Sequence, residues 1–134
     1  MSNTKATGVA YLDPEFSTCY ATEEIGYAVG AQGTVTQGTS KSTGVTLNKS
    51  AGRITMNGAL LAANTAVSFT LTNSLISTND AIIVNVSGGG TAAAYTTYIS
   101  SMTAGSAVVT LRNLTSGDLS EAVIINFAII HGAV

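Results

Sequence analysis

Few side chains in this 134-residue chain carry groups that perform acid–base or nucleophilic chemistry. His131 is the single histidine and Cys19 the single cysteine. His131 ends an alternating apolar run, residues 123–129, and a lone histidine there is more typical of a packed or edge position than of a catalytic base. Acidic residues lie on both sides of Cys19, and they raise rather than lower the pKa of a thiol. Neither residue is therefore predicted to be catalytic.

The acidic residues also form no predicted catalytic site. Asp13 with Glu15 and Glu23 with Glu24 lie in an N-terminal segment without regular periodicity, whereas a two-carboxylate glycosidase holds its carboxylates at a fixed separation. No histidine and cysteine spacing indicates zinc, and no aspartate-rich loop indicates calcium. We predict a protein that is not an enzyme and that uses no metal or cofactor.

The composition limits the possible partners. Charged residues make up 9% of the chain, against about 25% in an ordinary soluble protein, and 20 Thr and 14 Ser replace them. A net charge of −2 leaves no broad basic surface, so we expect no nucleic-acid partner. No apolar run approaches 18 residues and the N-terminus lacks a signal-like apolar stretch, so we expect neither a membrane span nor a secretory signal.

The first 32 residues differ from the rest of the chain. They hold four of the seven acidic residues, the only proline and three of the five tyrosines, with no clean helical or strand period. The free-energy cost of ordering the backbone of this segment exceeds the free energy gained by burying its few large apolar side chains. We interpret residues 1–32 as an arm that must lie on its own body, on a neighbouring subunit or on another protein.

Residues 33–134 alternate apolar and polar side chains in short runs separated by turn residues. The run 67–71 places Val, Phe and Leu on one face, and the run 82–86 repeats the pattern with Ile and two Val. About eight such runs occur at spacings of 8–15 residues. The fold prediction is all-β, an antiparallel sandwich or jelly roll of about eight strands with an extended N-terminal arm.

The last run is apolar on both faces, which is typical of a central strand covered on both sides. Its alternate residues from Val123 to Ile129 form one face. Ile124, Ala128 and Ile130 form the other, interrupted by Asn126. Either the arm or a second subunit is expected to cover this second face, and Ile124, Ala128 and Ile130 are the predicted subunit contact.

Three of the five basic residues, Lys41, Lys49 and Arg53, lie within thirteen positions of one another around one predicted hairpin. They form either a solvated turn or a charge patch that pairs with the acidic arm of the same or a neighbouring chain. Exposed ion pairs contribute only about 0–1 kcal/mol each, so such a patch would set orientation more than affinity.

Several strings resemble a structural module of tailed-bacteriophage virion proteins. They are Gln-Gly-Thr-Ser-Lys-Ser-Thr-Gly-Val-Thr-Leu-Asn at 37–48, Gly-Arg-Ile-Thr-Met-Asn at 52–57, Ala-Val-Ser-Phe-Thr-Leu-Thr-Asn at 66–73, and the stretch 113–130. The likeness covers residues 33–130 and leaves out the arm.

This resemblance implies a capsid decoration, or cement, protein that binds the head shell as a homotrimer. Its implied partners are the major capsid protein and further copies of itself, on the virion head surface after assembly in the host cytoplasm. The arm would then cross the capsid with its aromatic residues as anchors, since aromatic side chains bury large areas at low rotamer cost. These predicted anchors are Tyr11, Phe16, Tyr20 and Tyr27.

Related modules also occur in fibre and tail proteins, so binding of a host receptor or glycan is the alternative. Sugar sites usually present an exposed aromatic platform. Tyr95 and Tyr98, beside the loop Gly88–Gly90, are the candidates for such a platform in the body.

Overall fold

A computed structural model describes residues 15–133 of the chain. Within these residues the chain is all-β apart from one 3-10 turn, as predicted. The elements are η1 (Val29–Ala31), β1 (Gln32–Thr36), β2 (Val45–Thr46), β3 (Ala51–Thr55), β4 (Ala66–Thr72), β5 (Ala81–Gly88), β6 (Tyr95–Thr103), β7 (Ser106–Asn113) and β8 (Ile124–Ile130).

The eight strands form two four-stranded sheets. Sheet A has the order β1-β3-β8-β5, and sheet B has the order β2-β4-β7-β6. The chain changes sheet at every connection between consecutive strands except β6 to β7, which form an antiparallel hairpin. Gly105 in the short loop of this hairpin has a φ of +81°, a conformation that glycine adopts without steric cost. The predicted sandwich of about eight strands is confirmed.

Each sheet also contains one parallel pair, β1 with β3 and β2 with β4, among otherwise antiparallel neighbours. Strand β2 lies between β1 and β3 in the chain but belongs to the opposite sheet. Strand β3 therefore returns to sheet A and runs in the same direction as β1. Alternation of apolar and polar residues fixes the face of each side chain but not the direction of its neighbouring strand, so the sequence did not indicate these pairs.

Apolar side chains from both inner faces form the core. Phe69 of β4 lies opposite Val109 of β7, and Val84 of β5 lies opposite Phe127 of β8. Burial of each large apolar side chain contributes about 1.5–3 kcal/mol. The most completely buried core side chains are Ile54, Met56, Leu71, Val109, Leu111, Val123, Ile125 and Ile129.

Strand β8 lies in the interior of sheet A, between β3 and β5, as its two apolar faces predicted. Its register on the outer face, the side turned away from sheet B, places Ala128 between Ala51 of β3 and Ile83 of β5. On the inner side Gly52 lies so close to Leu47 that a Cβ atom there would be 2.6 Å from a methyl carbon of Leu47. The same Cβ atom would lie 2.9 Å from the carbonyl oxygen of Gly33 and from the ring of Phe127, so a larger residue does not fit here without a shift of its neighbours.

Candidate functional site

The described part of the arm exposes its large apolar side chains. Phe16 is 61% exposed, Tyr20 89% and Ile25 88%. Tyr11, which is also a predicted aromatic anchor, lies outside the described residues. Such exposure of large apolar side chains in a single copy of the chain is typical of a contact surface rather than of a folded core.

Tyr27 is attached to its own body. Its hydroxyl donates a hydrogen bond to the carbonyl oxygen of Ile129 in β8, and Gln32 Nε2 donates to the carbonyl of Tyr27 at 2.8 Å. The ring is still partly exposed at one end of the outer face of sheet A. Tyr27 therefore marks the point where the arm joins the body, and its role as an anchor for a partner stays a prediction.

The outer face of sheet A is the second apolar surface. Ile83 and Ile130 are 55% and 56% exposed, and Ala128 and Ile124 are half-buried. The three residues predicted as a subunit contact thus lie together on one face. A groove of about 640 Å³ lies between Tyr27 and this face, and its lining includes Ala51, Arg53, Asn126 and Ala128.

The predicted charge patch does not form as a unit. Arg53 is exposed on the outer face of sheet A, with Nε 3.4 Å from Asn126 Oδ1, and Lys49 Nζ donates to the carbonyl of Gly30 at 2.9 Å. Lys41 is only 3% exposed, so both interpretations of it, a solvated turn and a surface patch, are wrong. The sequence did not reveal this burial because a lysine among Ser, Thr and Gly has no apolar pattern around it.

Lys41 instead connects three segments of the body through hydrogen bonds. Its Nζ donates to the carbonyl of Asn57, after β3, at 2.6 Å, and to the carbonyl of Glu121, before β8. Gln37, also buried, donates from Nε2 to the carbonyls of Lys41 and Thr43, both at 2.9 Å. Burial lowers the pKa of Lys41, and the nearby Glu121 partly opposes this effect. The arrangement is structural and has no free group directed at a ligand.

Glu121 holds the glycine-rich loop after β5. Its carboxylate accepts hydrogen bonds from the Thr91 backbone N–H at 3.0 Å, the Thr91 hydroxyl at 2.8 Å and the Tyr95 hydroxyl at 2.7 Å. The Thr91 N–H first, and then the two hydroxyls, hold the pKa of Glu121 below its usual value. Burial, together with the bond to Glu121, raises the pKa of Tyr95.

These contacts bear on the glycan alternative. Tyr95 is 8% exposed and its hydroxyl is occupied by Glu121, so it cannot serve as a platform for a sugar. Tyr98 is 47% exposed on the outer face of sheet B, opposite Thr110. Of the two predicted platform residues, only Tyr98 is therefore accessible.

His131 is paired with Asp80 and not with a nucleophile. Its Nδ1 lies 3.2 Å from Asp80 Oδ2. Asp80 also accepts from the Ser77 N–H at 2.8 Å, the Ser77 hydroxyl at 3.0 Å and the Gly132 N–H at 3.1 Å. The Ser77 N–H contributes most to a lowered pKa of Asp80. Asp80 thus fastens the chain after β8 to the loop before β5.

Because folding lowers the pKa values of Glu121 and Asp80, we expect the protein to lose stability in acid. The stabilisation from these two carboxylates is complete above the ordinary pKa values, 4.5 for Glu121 and 3.8 for Asp80, and is lost as the pH falls through the folded pKa values. We expect urea midpoints of the wild type to fall below about pH 5, and Glu121→Gln to show a shallower fall. Glu23→Gln, in the exposed arm, is the matched control and should follow the wild type. Superimposable acid profiles for Glu121→Gln and the wild type would contradict this role of Glu121.

Three further features concern residues 15–133 only. No group of three or more His, Cys, Asp or Glu side chains is placed to hold a metal ion in this part of the chain. Among the same residues, no helix has the length and apolar character that crossing a membrane requires. Cys19 is a free, exposed thiol.

Comparison with known proteins gives no relative. The chain matches no protein-family model, no curated protein and no solved structure.

Proposed function

We propose that this protein is a non-enzymatic structural protein of a bacteriophage virion, a capsid decoration protein that binds the head shell as a homotrimer. The observation that carries the proposal is the pair of apolar surfaces that are exposed among residues 15–133. One is the arm segment with Phe16, Tyr20 and Ile25, and the other is the outer face of sheet A with Ile83 and Ile130. Large apolar side chains left exposed in one copy are typical of a protein that is covered in an assembly, by its own copies or by another partner.

The resemblance to virion modules supports the same proposal through the body. The string 37–48 forms the loop around the buried Lys41 and strand β2, and the other strings form β3, β4 and the segment that contains β8. The likeness therefore concerns the framework of the sandwich. The contact surfaces are carried by the arm and by the outer face of sheet A.

The polar surface of sheet B fits an assembly role. On its outer face the short hydroxyl residues Ser68, Thr70 and Thr72 of β4 and Thr96 of β6 are exposed. Short hydroxyl side chains keep a surface wetted and lose less rotamer entropy on contact than Lys or Glu would. Such a surface allows close approach of a neighbour at a low entropic cost.

A solution measurement tests the homotrimer. Size-exclusion chromatography with light scattering should give three times the chain mass of 13.5 kDa at micromolar concentration. A monomer at that concentration would contradict the proposed assembly. Binding of the purified protein to a glycan array, lost on Tyr98→Ala, would instead support the fibre or tail module.

A further inference from the structure

The arm and the outer face of sheet A have complementary properties. Along residues 15–31 the arm has three acidic residues, Glu15, Glu23 and Glu24, and no lysine or arginine. Among the residues whose side chains point outward from β1, β3, β8 and β5, the one charged residue is Arg53. Both surfaces expose isoleucines, and the arm adds two aromatic rings.

From this complementarity we propose that the outer face of sheet A binds the arm segment Glu15–Ile25 of a second copy of the chain. The inference rests on the proposed homo-oligomer and names what holds it together. Phe16, Tyr20 and Ile25 of one copy pack on Ile83, Ala128 and Ile130 of the next. Glu23 and Glu24 then lie within reach of Arg53.

The exposure of Phe16, Tyr20 and Ile25 shows that these three side chains do not pack on the face of their own body. Tyr27 is bonded to β8 at one end of that face, yet the three apolar side chains from Phe16 to Ile25 remain largely in solvent. An extended segment of eleven residues spans about 36 Å. Strand β8, with seven residues, spans about 23 Å, so the segment is long enough to leave one body and cross the face of another.

The symmetry of this contact agrees with a ring. An arm on a face is a contact between two different surfaces, and repetition of such a contact closes into a ring when the rotation between copies permits it. Three copies would each give one arm and receive one arm. Contact of two outer faces with each other would produce a dimer instead.

Cys19 makes the proposal testable because it lies inside the arm segment and is the only cysteine. Wild-type protein carrying an affinity tag is mixed with an untagged Cys19→Ser/Ile83→Cys variant, and the mixture is oxidised mildly. A disulfide between Cys19 of one chain and position 83 of another forms only if the two Cβ atoms come within about 4.5 Å. The expected product is a tagged–untagged heterodimer on a non-reducing gel.

The matched control is Cys19→Ser/Thr70→Cys, whose thiol is exposed on the outer face of sheet B. Because docking raises the effective thiol concentration to the millimolar range, we expect at least about tenfold more heterodimer with Ile83→Cys than with Thr70→Cys. Asn85→Cys, beside position 83 on the same face, repeats the test in case Ile83 is itself needed for docking.

Each outcome bears on the inference. Preferential heterodimer formation with either outer-face thiol of sheet A supports it. Equal heterodimer yields with Ile83→Cys and with Thr70→Cys overturn it. It is also overturned if the mixed chains do not crosslink while a single chain that carries both native Cys19 and Ile83→Cys forms an intrachain disulfide. A trimer by light scattering without the heterodimer leaves the proposed function standing and removes this inference alone, whereas a monomer removes both.

Discussion

Replacement of Lys41 by methionine should reduce the free energy of unfolding by about 3 kcal/mol. The methionine keeps most of the volume of the buried side chain but provides no donor to the carbonyls of Asn57 and Glu121. Both carbonyls are partly buried, and the loss of a donor to such a carbonyl costs about 1–3 kcal/mol. Urea unfolding at pH 7 measures the change directly.

Lys49→Met is the matched control. Lys49 lies in the same stretch of sequence and also donates to a backbone carbonyl, but this bond, to Gly30, is exposed to water. Water replaces the lost donor there, so the change should stay within about 0.5 kcal/mol. Equal effects of the two substitutions would contradict a structural role for the hydrogen bonds of Lys41.

The triple substitution Phe16→Ser, Tyr20→Ser and Ile25→Ser should weaken assembly by at least about 100-fold without lowering stability. The three large apolar side chains are largely exposed in one copy and contribute little to its free energy of unfolding, but the substitutions remove their burial against a partner. Analytical ultracentrifugation of the purified protein measures the association, and urea unfolding in the same buffer measures the stability.

Leu60→Ser with Leu114→Ser is the control for this triple variant, since both leucines are exposed apolar residues of the body away from the arm. Their replacement should leave association unchanged. If the triple variant associates like the wild type, the arm is not a contact surface. If it loses several kcal/mol of stability at concentrations where the protein is monomeric, the arm packs on its own body.

The sequence was sufficient to predict the elements and the two faces of the last strand. The alternation in residues 67–71 and 82–86 identifies β4 and β5, and the two apolar faces of 124–130 predict the interior position of β8. Both predictions depend on the same physical fact, that side chains of a strand alternate between core and exterior. Strand direction is not encoded in this alternation, so the parallel pairs appear only in the structure.

The candidate site was predicted less completely than the fold. Exposed aromatic residues in a segment without periodicity were recognisable, and Phe16 and Tyr20 are indeed uncovered in the single chain. The burial of Lys41 and Tyr95 was not recognisable, because it depends on carbonyl and carboxylate partners 16 to 80 residues away in the chain. Local composition contains no information about contacts at that separation.

Electron cryomicroscopy of labelled particles tests the central proposal most directly. Virions that carry this chain with a gold-binding tag after Val134 would be imaged intact. The account predicts label over the head surface, in clusters of three at regular positions on the shell. Label confined to the tail or fibres, or particles without any label, would contradict a capsid decoration protein.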